Sequence, residues 1–283
     1  MMPKRTSFLP LLLCAFLAIQ ATVRGQVVTK TKYIFGSDIE LGGFWPALST
    51  EIRLDSADGE TGTGVDFESD LNFSDRKFLP LFQASWRPSK SWLFQLDYVN
   101  LNRSNSSVLE TEIEWPPGEG GEVFPVDAEV NSFLDYQTSR ISAAYVFRTS
   151  KKSELAVALG FHLTQMSAGI GLKVAAGGEE ASGSKDMDLP VIPLPSLGLY
   201  WGIRLGEKWT VRLRGDFFAL TYDDYSGSLI SARAEGLYDF SDHWGVGAGL
   251  NYYELSIEAD KERFTGKTEF GYWGPNLFVR YLF

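Results

Sequence analysis

From Trp209 to Ala219 the chain alternates without a break. Trp209, Val211, Leu213, Gly215, Phe217 and Ala219 share one parity, and Thr210, Arg212, Arg214, Asp216 and Phe218 share the other. A period of two residues is the mark of a β-strand with two unlike faces. The pattern recurs along the chain. Ile230, Ala232, Ala234, Tyr238 and Phe240 oppose Ser231, Arg233, Glu235 and Asp239. Trp244, Val246, Ala248, Leu250 and Tyr252 oppose Gly245, Gly247, Gly249, Asn251 and Tyr253. At the C-terminus Leu277, Val279, Tyr281 and Phe283 alternate with Asn276, Phe278, Arg280 and Leu282.

Ten such segments are expected, at about 39–55, 77–87, 92–104, 130–148, 153–174, 190–205, 209–222, 228–240, 244–258 and 264–283. Eight is the competing count. The connections alternate in length. RPSKS, RTSKKS, LGEK and FSDH are tight, whereas 56–76, 105–129, 175–189, 223–227 and 259–263 are longer and more polar. Tight turns on one side and longer loops on the other predict an all-β, closed, antiparallel up-and-down transmembrane barrel. In lipid the apolar parity faces outward and the polar parity inward, and the ring must close because an open edge leaves backbone groups unpaired.

Three features assign sides. The stretch 105–129 carries Glu110, Glu112, Glu114, Glu119, Glu122, Asp127 and Glu129 with no Lys or Arg, while the tight turns are more basic, with Arg87, Lys90, Arg148, Lys151, Lys152 and Lys208. KSW, EKW and DHW each place a tryptophan (Trp92, Trp209, Trp244) at a turn exit. With Trp86 and Tyr238 these residues form an expected aromatic girdle, since amphipathic rings settle at the water–hydrocarbon boundary. The N-terminus reads as a secretory signal peptide over residues 1–25. Lys4 and Arg5 precede an apolar run from Phe8 to Ile19, too short to span a membrane as a helix. Cys14, the sole cysteine, leaves with it, which removes disulfide chemistry from the mature chain. Residues 26–38 are expected to be a periplasmic lead-in and 39–283 the barrel.

The polar parity defines an expected lumen charge network: Glu51, Arg53, Asp97, Arg140, His162, Arg204, Arg212, Arg214, Asp216, Arg233, Glu235 and Arg280. Charges in a narrow, low-dielectric lumen are costly unless paired. A salt-bridged plug is the first expectation, and a narrow pore lined by surplus arginine is the second. Pro46, Pro80 and Pro275 fall in the first, second and tenth strands, which become neighbours on closure; tolerated bulges or kinks are the first expectation there and a weakened seam the second. DSADGE, at 55–60, lacks the spacing of a calcium loop. Neither a metal nor a cofactor is expected, and a net charge of −10 argues against nucleic acid as a partner.

GTGVDFESDL, the turn aromatics, YDDYSGS and the terminal GPNLFVRYLF together resemble small Gram-negative outer-membrane β-barrel proteins of the OmpA/OmpW-like group, over residues 39–283. The resemblance implies the bacterial outer membrane as location, with outer-membrane lipids and lipopolysaccharide as surroundings. It also implies that Leu277, Val279, Tyr281 and Phe283 serve as the C-terminal signal read by the barrel-insertion machinery. It brings no catalytic motif, so a structural or porin-like barrel is expected rather than an enzyme. The alternatives are an outer-membrane hydrolase, of the lipid A deacylase or omptin kind, and a small hydrophobic-ligand transporter. For the former, His162 has Thr164 on its own face while Ser167 is on the other, and His243 lies in a tight turn. Oligomeric state is left open.

Overall fold

The computed structural model describes residues 33–56, 62–115, 122–173, 184–222, 224–261 and 264–283. The expected signal peptide, most of the expected lead-in and five shorter stretches lie outside these residues. Within the compact unit Ile34–Phe283, the strands are β1 (Asp38–Phe44), β2 (Ala47–Ser56), β3 (Gly62–Asp66), β4 (Leu79–Trp86), β5 (Trp92–Val108), β6 (Ile113–Trp115), β7 (Glu122–Phe124), β8 (Glu129–Thr149), β9 (Ser153–Leu172), β10 (Ser184–Arg204), β11 (Trp209–Tyr222), β12 (Tyr225–Asp239), β13 (Trp244–Lys261) and β14 (Phe264–Leu282). Ten of them, β1, β4, β5 and β8 to β14, form an antiparallel ring closed by β1 against β14.

The two extra wall strands arise from interruptions. The chain breaks at Trp45 and Pro46, so β2 continues β1 along the same partner, β14. Proline has no N–H for a ladder, which explains the break. Trp45 N donates instead to Pro275 O at 3.0 Å. Pro80 lies opposite Gly43 in the β1–β4 register, so the three prolines do meet near the closure. Pairing along β14 nevertheless continues on both sides of the break. The larger interruption is next door. β3 pairs only with β2, and β5 pairs with β4 only from Phe94 to Tyr98. From Val99 to Val108, β5 has a ladder with β8 alone.

The outer wall shows where lipid sits. On β14, Trp273, Leu277, Val279, Tyr281 and Phe283 are exposed, while Asn276, Phe278, Arg280 and Leu282 are buried inside. The girdle residues cluster at the turn end. Trp209 packs against Tyr238 at 4.9 Å between ring centroids, Trp244 against Tyr281 at 5.0 Å, Trp92 against Tyr145 at 5.5 Å and Trp86 against Phe94 at 5.5 Å. A second set, Trp45 with Phe78 at 5.1 Å and the exposed Tyr252 and Trp273, lies toward the loop end. From Trp273 to Tyr281 a tilted strand rises roughly 20 Å, near the height of a barrel's apolar band. β14 runs 19 residues and β8 runs 21, far more than a bilayer needs. The wall therefore continues past the lipid at the loop end.

There the facing rule changes, and Glu51 and Arg53 are the correction. They do not join the lumen network. Leu48, Thr50 and Ile52 are the buried residues of β2, which puts Glu51 and Arg53 on the outer face, opposite Glu269 and Lys267 of β14. Beyond the lipid the outer face meets water, so polar residues turn outward and the interior becomes an ordinary apolar core.

Candidate functional site in the barrel lumen

The interior is filled in four layers, starting at the turn end. The first is a plug made by the end of the lead-in. Phe35 N donates to Glu154 Oε2 at 3.0 Å, and Arg87 Nη1 donates to Phe35 O at 2.8 Å and to Glu154 at 3.0 Å. Ile34 and Phe35 pack with Leu93, Ala144, Val146, Ala156, Ala158 and Tyr200. A side chain at Gly202 would collide with both Ile34 and Phe35, so glycine there makes the seat.

The second layer is the charge network. On the polar parity of six strands, Asp38 and Glu40 (β1), Asp97 (β5), Arg140 (β8), Arg212, Arg214 and Asp216 (β11), Arg233, Glu235 and Asp239 (β12) and Arg280 (β14) meet in one connected set. Arg140 holds Asp216 at 2.7 Å and Asp97 at 3.0 Å. Asp97 also takes Arg214 at 3.1 Å and Arg233 at 3.6 Å. Arg233 reaches Glu40 at 3.3 Å, and both Arg233 and Arg212 pair with Glu235. Arg212 also pairs with Glu40 and reaches Asp38 at 3.2 Å, and Asp38 takes Arg280 at 2.8 Å. All of them are buried except Asp97 and Arg214, which are partly so. Gln83 accepts from Arg233 at 2.8 Å and the Tyr200 hydroxyl accepts from Arg140.

The third layer is apolar and aromatic. Tyr136 stacks on Phe270 at 4.0 Å and Tyr253 on Tyr272 at 4.9 Å, among Phe44, Leu48, Leu81, Leu101, Leu229 and Phe278. The fourth lies at the loop end. Trp115 and Phe124 of the small β6–β7 hairpin pack with Phe67, Leu71 and Phe73 of the segment before β4, and with Val130, Leu134, Ala168 and Ile170 of β8 and β9. Stretches that look like polar loops in the sequence thus carry a buried core, their acids lying around it. Their scattered Phe and Trp were the available signal.

The predicted residues divide accordingly. Asp97, Arg140, Arg212, Arg214, Asp216, Arg233, Glu235 and Arg280 come together as ion pairs. Arg204 stays at the turn-end mouth beside Lys151 and Lys152, outside that layer. His162 is buried directly opposite Arg140 in the β8–β9 register, at the boundary between the charge and aromatic layers. Asp38, Glu40 and Asp239 were missed. The first strand begins one residue earlier than its apolar pattern suggests, and no local pattern shows which distant arginine a carboxylate will meet.

Between β5 and the segment before β4, side chains replace the ladder. Arg103 pairs with Glu68 at 2.6 Å and donates to Thr50 Oγ1 at 3.3 Å and Ser74 O at 3.1 Å. Asn105 Nδ2 donates to Leu71 O at 2.9 Å and Asn72 O at 2.8 Å, and Lys77 reaches Asn102 O. Burial pushes the Glu68 carboxyl above its ordinary value, and Arg103 opposes this only in part.

No protein-family model and no curated protein matches the sequence. Among solved structures, the chain is similar to the outer membrane protease OmpT from Escherichia coli, with a TM-score of 0.52 at 10% identity over 90% of this chain and 99% of that chain. Looser superpositions include the transport unit of the autotransporter AIDA-I from Escherichia coli (TM-score 0.38, 9% identity, 96% and 97% covered) and the toluene transporter TodX from P. putida (TM-score 0.32, 10% identity, 87% and 89% covered). At such identity the likeness to OmpT is one of fold. The ring closure, the apolar band and this likeness agree: the chain is a closed, antiparallel, ten-stranded transmembrane β-barrel.

Proposed function

We propose that the chain is an integral outer-membrane protein whose barrel is a closed structural element, with a plugged lumen in place of a passage. The observation that carries this reading is the charge layer. It links β1, β5, β8, β11, β12 and β14 across the lumen, and the described residues around it leave a cavity of about 50 Å³. Ten-stranded barrels are nearly filled by their own side chains, and this one adds an apolar layer on each side of the charges. Its surroundings would be outer-membrane lipids and lipopolysaccharide, against the outward row Leu277, Val279, Tyr281 and Phe283, which would also be offered to the barrel-insertion machinery. The refolded protein in a planar bilayer should be electrically silent. Steady single-channel steps would replace this reading with the narrow-pore one, and Arg214→Ala should then shift the ion selectivity.

One observation favours a second reading, transport of a small hydrophobic ligand. The missing β3–β5 ladder lies just beyond the second aromatic set and opposite the apolar third layer, where Leu48, Leu81 and Leu101 are buried. Opening the Arg103 link would join that layer to the outer leaflet. On this reading Arg103→Ala should speed uptake of a fluorescent hydrophobic probe into proteoliposomes, and an unchanged rate would remove it. A hydrolase gains no such support. Among the described residues, neither ring nitrogen of His162 has a hydrogen-bond partner, whereas a nucleophile–base pair needs one.

A further inference from the structure

Buried nitrogens of three side chains that make no hydrogen bond lie around one place in the charge layer. His162 is almost fully buried, and both its Nδ1 and Nε2 lack a partner among the described residues. Arg140 Nε and Arg214 Nε are likewise buried without a hydrogen bond there, Arg214 Nε lying 3.8 Å from Asp216 Oδ2. All three side chains line the same cavity of about 50 Å³, with Asp97, Thr138, Arg233, Asn251 and Tyr253 among the other residues around it. Unmet buried donors cost free energy, so a native structure supplies them with a partner.

The charge facing that cavity is one-sided. Three of its lining residues are arginines and one is a carboxylate, Asp97, which already takes all three guanidinium groups at 3.0, 3.1 and 3.6 Å. The other carboxylates of the network, Asp216, Glu40 and Glu235, pair with the same arginines but do not line the cavity. The arginines face the cavity and these carboxylates lie behind them, so the near side of the site suits an anion better than a cation. The volume admits a few water-sized bodies, since about 10–15 Å³ on this measure holds one. An organic ligand of several carbons is too large.

We infer that this cavity is a binding site for a small monovalent anion of halide size, held by His162, Arg140 and Arg214 where the charge layer meets the aromatic layer. The neighbouring Tyr253 ring, 5.9 Å from His162 between centroids, walls the site off from the loop end. A bound anion spends the free donors and offsets the arginine surplus facing the cavity, and it tightens β8, β9 and β11 around one point. The site does not depend on whether the barrel conducts.

The test is diffraction from crystals of the refolded full barrel grown in sodium bromide. An anomalous bromide peak within hydrogen-bond reach of His162 and at least one of the two arginines is expected. Water density without anomalous signal overturns the inference. In solution, the chloride NMR linewidth should show saturable broadening by the wild-type protein in detergent. His162→Phe should weaken that binding about tenfold or more, the effect of losing one hydrogen bond to a charged partner. Equal broadening by a folded His162→Phe barrel also overturns it. If that variant does not fold, the bromide experiment on the wild type decides alone.

Discussion

Arg212 of β11 and Asp38 of β1 stand four strands apart around the ring, and their side chains meet across the lumen at 3.2 Å. Asp38 is the first residue of the first strand, and it also takes Arg280 from the last at 2.8 Å. One carboxylate therefore ties the start of the ring to its end and to its far side.

Removing Arg212 should be far worse than its size suggests. Arg212→Ala leaves Asp38, Glu40 and Glu235 each short of a buried partner. Breaking a buried pair in this way costs about 3–5 kcal/mol. Urea unfolding in detergent micelles, read by tryptophan fluorescence, should show that loss. Replacing Arg212, Arg233, Glu40 and Glu235 together with apolar residues of similar volume should recover much of it, because Asp38 keeps Arg280 and Asp97 keeps Arg140 and Arg214.

The turn-end plug is sensitive to a single carbon. Gly202→Ala places a methyl group where Ile34 and Phe35 sit. Overpacking of this kind costs about 1–3 kcal/mol, and here the lead-in can yield more easily than the wall. The expected result is new protease cleavage around residues 34–37, with the barrel core still resistant. Intact protection of that segment would mean that the seat adapts.

Acidity should tighten the link between β5 and the segment before β4. Glu68 has its carboxyl raised from 4.5 by burial in the closed form. A group with the higher pKa in the closed form binds its proton more firmly there. Closure is thus favoured on the acid side and loses this contribution as pH rises through the closed-state value. The Thr50 amide donates to Glu68 Oε2 at 2.7 Å and reports on the link directly. Its hydrogen-exchange protection, corrected for intrinsic rate, should fall with rising pH, and Glu68→Gln should flatten that dependence.

Arg103→Ala removes the link itself. Three charge-assisted contacts, to Glu68, Thr50 Oγ1 and Ser74 O, and a position over the Phe73 ring at 4.8 Å are lost. Hydrogen bonds to charged groups contribute about 1.5–3 kcal/mol each. Exchange should accelerate at residues 71–76 and at Thr50, while the β5–β8 ladder stays protected. Uniform acceleration through β5 would show that the wall there depends on the same side chain.

Truncating the loop-end core should act locally. Trp115 is fully buried among Phe67, Phe124, Val130 and Leu134. Trp115→Ala leaves a cavity worth about 3–5 kcal/mol. Protease should then cut within 67–78 and 109–128, while the heat-modifiable electrophoretic mobility typical of an intact barrel persists.

Strand number and, within the lipid-facing band, the facing of each residue lay open in the sequence because each is a local pattern. Parity in β11 to β14 separates the faces residue by residue, and the tryptophans at turn exits mark one edge of the lipid. Lipid imposes the same rule on every strand it touches, so it could be read one strand at a time. Glu51 and Arg53 show where the rule stops. Their strand extends beyond the apolar band, where water outside and a folded core inside exchange the roles of the two faces, and nothing in the strand itself announces that height. The partners of Asp38, Arg212 and Arg280, the apolar core beneath Trp115 and the convergence of unspent donors around His162 were decided by tertiary structure alone. Each depends on bringing together residues from distant strands, and pairing energies in a low-dielectric interior are set by distances that only ring closure fixes.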